Sequence, residues 1–425
     1  MRRSVLWRAG ALFLALACVR LAFPPDVAAS SGKIIYSFAG GADGAYPYSD
    51  LIVDAAGNLY GTTKQGGTVD GGTVFELTRT KDGWKHQVLY SFLGGPNDGA
   101  GPIAGLVFDS AGNLYGTTAG GGSSSSGTVF KLARNSHGDW TESILYSFTG
   151  SNGDGANPNT DLVLDSKGNL YGTTSGGGQY YKGECYSGCG IVFRLTPNSN
   201  GTWTETVIHV FAGTPDGGIP ASAVALDADG NIYGTTAYGG TEQCWDYLFT
   251  GCGSLYKLTL DSGGGWTETL PYNFHRYQGT ARNPSGGFLL EKAGRIFGTS
   301  TVGGDRNGAV FKLEQTKKGW EQIVLYRFYG NPDGENPIGR LAVGPNGKLY
   351  GATAGGGMNS YQYSGTVFEL NQTQGGWRER VLLNANGFGY NPQAGPTVDS
   401  QGHVYGTFTD SSNGNNFGAV YEIVP

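Results

Sequence analysis

Apolar and polar positions along the chain alternate in short runs of strand length, separated by Gly-rich or polar turns. The first complete set begins with "DLIVD" (50–54), turns through "AAG" and continues as "NLYGTT" (58–63). A Gly-rich loop leads to "GTVFELT" (72–78), and a polar turn, "RTKDG", leads to "WKHQVLYSF" (84–92). In the last run Trp84, His86, Val88, Tyr90 and Phe92 fall on one face, because strand side chains alternate. Asp54 stands three residues before Gly57. A short carboxylate there can accept backbone N–H bonds from a tight turn, and the glycine can take a positive φ, so the first two runs read as a hairpin.

The set then repeats. "GNLYGTT" (57–63) returns at 112–118 and 168–174, as "GNIYGTT" (230–236), "GRIFGTS" (294–300), "GKLYGAT" (347–353) and "GHVYGTF" (402–408). The central aromatic–Gly step recurs every 53 to 64 residues. A Trp opens the fourth run in each of six copies: Trp84, Trp140, Trp203, Trp266, Trp320 and Trp377. A bulky ring at a fixed point of each unit is expected to pack between repeats. Four strands per unit and this period predict an all-β, seven-bladed β-propeller with four antiparallel strands per blade, lettered A to D from the channel outwards. The seventh unit shows "PTVDS" (396–400), "HVYGTF" (403–408) and "GAVYEIV" (418–424), but no fourth strand follows. The missing strand is "KIIYSF" (33–38). The expected organisation is a signal peptide over 1–29 and one propeller over 33–425, its ring closed by that amino-terminal strand.

The phrase "NLYGTT…GG…GTVFEL" and its copies resemble the GloVer tandem-repeat family, exported bacterial proteins described as choice-of-anchor. The resemblance covers essentially the whole mature chain. It implies export and repeat architecture and carries no activity or site residue. Family members bear varied carboxyl-terminal anchors, whereas this chain is expected to end on its last blade strand.

Composition narrows the function classes. The 76 Gly and 17 Pro would suit a disordered chain, but 20 Phe, 25 Tyr and 8 Trp do not, so the glycines belong to turns. The formal net charge of −6 is thinly spread and no basic stripe occurs, which argues against a nucleic-acid partner. Arg2 and Arg3 followed by "AGALFLALACV" (9–19) read as an export signal, with "DVAAS" as the cleavage site. A secondary reading cleaves before Cys18 and lipidates it. No apolar run is long enough for a membrane anchor. Cys185, Cys189, Cys244 and Cys252 are expected to pair as Cys185–Cys189 and Cys244–Cys252, with cross-pairing as the alternative. Their spacing does not suit a metal centre. No cofactor or metal is expected.

Candidate chemistry concentrates on the face bearing the D–A and B–C connections. Two long B–C loops on neighbouring blades carry Tyr180, Tyr181, Tyr186, Trp245, Tyr247 and Phe249. Such rings can stack on sugars or fold back as a satellite core. A repeated "D-G-x-x-P" phrase places Asp43, Asp98, Asp154, Asp216 and Asp333 in D–A connections. These read either as turn carboxylates or as a ring at the channel mouth. Asp54, Asp109, Asp165, Asp227 and Asp399 read as A–B turn residues. Blade 5 departs from the pattern at Glu291 and in "FHRYQGTARNP" (274–284), with His275, Arg276 and Arg282. His209 takes the place of a strand D tyrosine. No nucleophile elbow, zinc helix or phosphate loop is present. The expected function is a secreted or cell-surface monomer binding a polysaccharide or a protein. The alternatives are a carbohydrate-active hydrolase or lyase working at the channel mouth, and a structural envelope protein.

Overall fold

The computed structural model describes residues 32–179, 185–242, 244, 251–277, 279–284, 286–304, 307–358, 364–385, 389–411 and 416–424. Seven antiparallel sheets form a ring of seven blades. In blade 1 the order from the axis outwards is Ile52–Val53 (strand A), Leu59–Thr63 (B), Thr73–Thr80 (C) and Gly83–Ser91 (D). Asp54 closes the A–B hairpin as its position suggests: Oδ1 accepts the N–H groups of Ala56 and Asn58, both at 2.9 Å, and Gly57 sits at φ 84°. The same cap recurs at Asp109, Asp165, Asp227 and Asp399.

Blade 7 is assembled from both ends of the chain. Thr397–Val398, Val404–Phe408 and Ala419–Ile423 supply strands A to C, and Lys33–Ser37 supplies D. Tyr36 pairs with Val420 and Ser37 with Ala419. This ladder slips between Ile34 and Tyr36, and the C–D ladders of blades 1, 2 and 3 slip at the corresponding step. The composite blade therefore copies even the bulge of the continuous ones. In blade 1 that bulge inserts Leu89 between Val88 and Tyr90, and Leu89 is itself buried.

The apolar core lies between blades. Phe92 of blade 1 meets Phe130 of blade 2 edge-on, with ring centroids 5.0 Å apart, and Tyr60, Leu106 and Leu132 close the same cluster. Trp84 reaches Tyr405 of blade 7 and Trp203 reaches Tyr115 of blade 2, so the recurrent tryptophan packs between repeats. The glycine of the Tyr-Gly step makes room for this core. A Cβ on Gly61 would lie 2.8 Å from the Phe75 ring, and one on Gly116 would lie 2.6 Å from Phe130. The recurrence of that glycine beside a strand C phenylalanine has this steric cause.

Candidate functional site at the tunnel mouth

Each strand A is approached by a short segment descending from the D–A connection, so its first residues ring the axis. Counting four positions back from the A–B turn residue gives Asp50, Gly105, Asp161, Ala223, Gly287, Arg340 and Gly395 in blades 1 to 7. Three blades carry charge at this level and four carry Gly or Ala. Asp50, Asp161, Ala223, Gly287 and Arg340 line, with their neighbours, a cavity of about 350 Å³ to which every blade contributes, including Tyr48, Asn159, Ser222 and Gln393.

The small residues give the charged ones their space. Asp50 Oδ1 accepts the N–H of Gly395 from blade 7 at 2.6 Å, and Asp161 Oδ1 accepts the N–H of Gly105 from blade 2 at 2.6 Å. A Cβ on Gly105 would lie 2.9 Å from that Asp161 oxygen, and one on Gly287 would lie 2.8 Å from Arg340 Cβ. Arg340 Nε stands 3.8 Å from Asp50 Oδ2, with nearly half of its side chain exposed. Burial pushes the Asp50 carboxyl up to about 7; the negative charge of Asp161 adds to this, while Arg340 and the Gly395 N–H oppose it. The tunnel mouth thus presents a carboxyl that is largely protonated below neutral pH, a second carboxylate and a guanidinium.

The loop aspartates lie elsewhere. Asp98 accepts the N–H of Leu93 at 2.7 Å and the hydroxyl of Tyr90 at 3.0 Å; Asp43 and Asp333 bond Tyr36 and Tyr326 in the same way. These carboxylates cap the D–A turn beside the outer strand and do not line the tunnel. Of the two readings of Asp43, Asp98, Asp154, Asp216 and Asp333, turn chemistry is the one observed. Each of these aspartates also faces a polar side chain from strand D of the next blade. Burial and the charges of Asp98 and Asp154 push Glu142 and Glu205 up to about 7, and Asp333 does the same to Glu379, up to about 8. Where blade 5 lacks the loop aspartate, Gln322 stands instead and bonds both backbone groups of Ala281.

The remaining sequence candidates separate. Glu291 sits in the A–B turn, on the face opposite the tunnel mouth, and its Oε2 accepts from Arg295 Nε at 2.8 Å. It does not line the tunnel mouth, so a channel-mouth site does not include Glu291. His275 bonds the Tyr272 hydroxyl, and Arg282 Nη1 contacts Cys244 Sγ at 3.7 Å. Both disulfides are local: Cys185–Cys189 and Cys244–Cys252, with Cα separations of 5.1 and 5.0 Å. All four cysteines belong to inter-blade core clusters. Tyr186 is 79% exposed. Tyr180, Tyr181, Trp245, Tyr247 and Phe249 lie outside the described residues.

A model for the Gloeobacter/Verrucomicrobia repeat matches residues 22–247 and again 246–425. Among curated proteins, none matches the sequence. Two solved structures share the architecture. A polysaccharide lyase of family PL25, an ulvan lyase bound to a GlcA(1-4)Rha3S unit, aligns with TM-score 0.52 at 10% identity, covering 91% of this chain and 95% of its own. A Bacteroides fragilis protein assigned as a 6-phosphogluconolactonase aligns with TM-score 0.50 at 15% identity, covering 82% and 86%. At these identities the likeness is one of fold.

Proposed function

The chain belongs to the Gloeobacter/Verrucomicrobia repeat family, and from that premise we propose an exported propeller that takes a saccharide unit into the mouth of its tunnel. The observation carrying this reading is the set of Asp50, Asp161 and Arg340, converging from three blades on one polar cavity. Carboxylates accept from sugar hydroxyls, and a guanidinium donates to ring oxygens or acidic substituents. Tyr48 offers a ring beside them. The aromatic loops of blades 3 and 4, with Tyr180, Tyr181, Tyr186, Trp245, Tyr247 and Phe249, would extend this site over the same face for a longer chain. Residues 1–29 act as the export signal in this reading, and 33–425 as the mature domain. Two disulfides, and no helix among the described residues long and apolar enough to cross a membrane, fit an extracellular or periplasmic location.

A second reading has its own observation. Asp50 is raised to about 7 beside a second carboxylate, the division of roles that glycosidic cleavage uses: one protonated acid and one ionised partner. Isothermal titration of polysaccharide fragments separates the two. Asp161→Asn and Arg340→Gln are expected to abolish binding. Asp50→Asn is expected to retain binding and, if the pair is catalytic, to lose turnover. Wild-type binding in both Asp161→Asn and Arg340→Gln would sink the tunnel-mouth reading.

A further inference from the structure

The junction of blades 3 and 4 departs from the 1/2, 2/3 and 5/6 junctions in one side chain. In those three a strand D tyrosine donates to the loop aspartate, as Tyr90 does to Asp98 at 3.0 Å. Here the aromatic is His209, with Asp216 and Glu268 in the usual places. Its Nε2 lies 3.4 Å from Asp216 Oδ2 and 3.5 Å from Glu268 Oε1. Both separations exceed the usual N–H···O range of about 2.7–3.2 Å. Nε2 and Glu268 Oε1 are sheltered from solvent and neither makes a hydrogen bond.

Those spacings suit a different occupant. Nitrogen and oxygen ligands held about 2.0–2.2 Å from a tetrahedral ion stand roughly 3.3–3.5 Å from one another. The three ligand atoms all lie within 4.8 Å of one another. We propose that His209 Nε2, Asp216 Oδ2 and Glu268 Oε1 form a binding site for one zinc ion at the outer junction of blades 3 and 4. One imidazole and two carboxylates are a ligand set zinc accepts, and three protein ligands leave a fourth position for water. The site is braced. Asp216 Oδ1 accepts the N–H of Gly217 at 2.7 Å, Oδ2 accepts that of Ala212 at 2.8 Å, and Phe211 packs edge-on against the imidazole. Each side chain keeps a little under one fifth of its exposure, enough for an ion to enter.

The repeats supply the controls. His209→Tyr restores the residue of the sister junctions, and Glu268→Gln installs what blade 5 carries as Gln322, so both variants suit the fold. Chelator-treated full-length protein is titrated calorimetrically with zinc. The wild type is expected to bind one ion per chain and to release protons, seen as a dependence on buffer ionisation enthalpy. Each variant is expected to bind more weakly by over ~100-fold, beyond what loss of an outer-shell partner costs. Wild-type zinc affinity in the folded His209→Tyr protein would overturn the site. So would no uptake by the wild type at zinc concentrations up to about 1 mM. The outcome is independent of saccharide binding at the tunnel mouth.

Discussion

Tyr36 and Val420, from opposite ends of the chain, are paired residues in one antiparallel ladder. The next side chain inward from that pair, Phe38, is fully buried against Phe75 of blade 1. The amino-terminal strand therefore holds both blade 7 and its joint with blade 1. Phe38→Ala should destabilise the protein by about 3–5 kcal/mol in urea unfolding. Deleting residues 33–38 should lower the melting temperature further, because Ala419–Ile423 would become a bare sheet edge. An unchanged melting curve for the deletion would contradict a closed ring.

Stability should fall as pH rises through neutrality. Glu142, Glu205 and Glu379 have folded values raised to about 7, 7 and 8 from an ordinary 4.5. A raised carboxyl means that the folded state holds the proton more tightly. The stabilisation is complete below about 4.5 and is lost through pH 7 to 8. For buried Glu379 the slope approaches ~1.4 kcal/mol per pH unit. Glu379→Gln should flatten the upper part of a melting-temperature profile between pH 5 and 9 and raise its alkaline end. A profile identical to the wild type would show that Glu379 is not held protonated.

Two glycines at the tunnel mouth should respond differently. A Cβ on Gly395 would meet the backbone oxygen of Arg340 at 2.1 Å, whereas one on Gly105 meets the Asp161 carboxylate at 2.9 Å. Backbone cannot step aside, so Gly395→Ala should cost about 1–3 kcal/mol of stability. Gly105→Ala should leave the melting temperature nearly unchanged and weaken saccharide binding by displacing Asp161. Calorimetry on both variants checks the contrast.

The tunnel should also titrate. Asp50 ionises near 7 and places a second negative charge beside Asp161. An acidic saccharide should bind less tightly at pH 8 than at pH 6, and Asp50→Asn should remove that dependence. Equal pH profiles in the two proteins would exclude Asp50 from the site.

The architecture was legible because it is what the repeats share. "NLYGTT" and its copies mark strand B, the hairpin aspartates recur three residues before a glycine, and the lone "KIIYSF" matches the strand that blade 7 lacks. The tunnel site was illegible for the opposite reason. It consists of one offset at which the repeats disagree, read as Asp50, Gly105, Asp161, Ala223, Gly287, Arg340 and Gly395. A search for likeness passes over such a column. Its sequence signal is side chain against no side chain in neighbouring copies, but that this offset faces the axis follows only from the descent of each chain segment into strand A. The loop aspartates were legible for the same reason as the fold: they recur because Asp98 and Asp333 spend their oxygens on their own turns and a nearby tyrosine.

The shared seventh blade imposes an order on assembly. Lys33–Ser37 is made before the six continuous blades, and its partner Ala419–Ile423 after them. Six blades can form in turn as the polypeptide emerges, while this strand waits unpaired until the rest of blade 7 is made. Closing so long a loop is entropically costly and slow. A chain delivered unfolded across a membrane and released whole would meet both halves of that ladder at once.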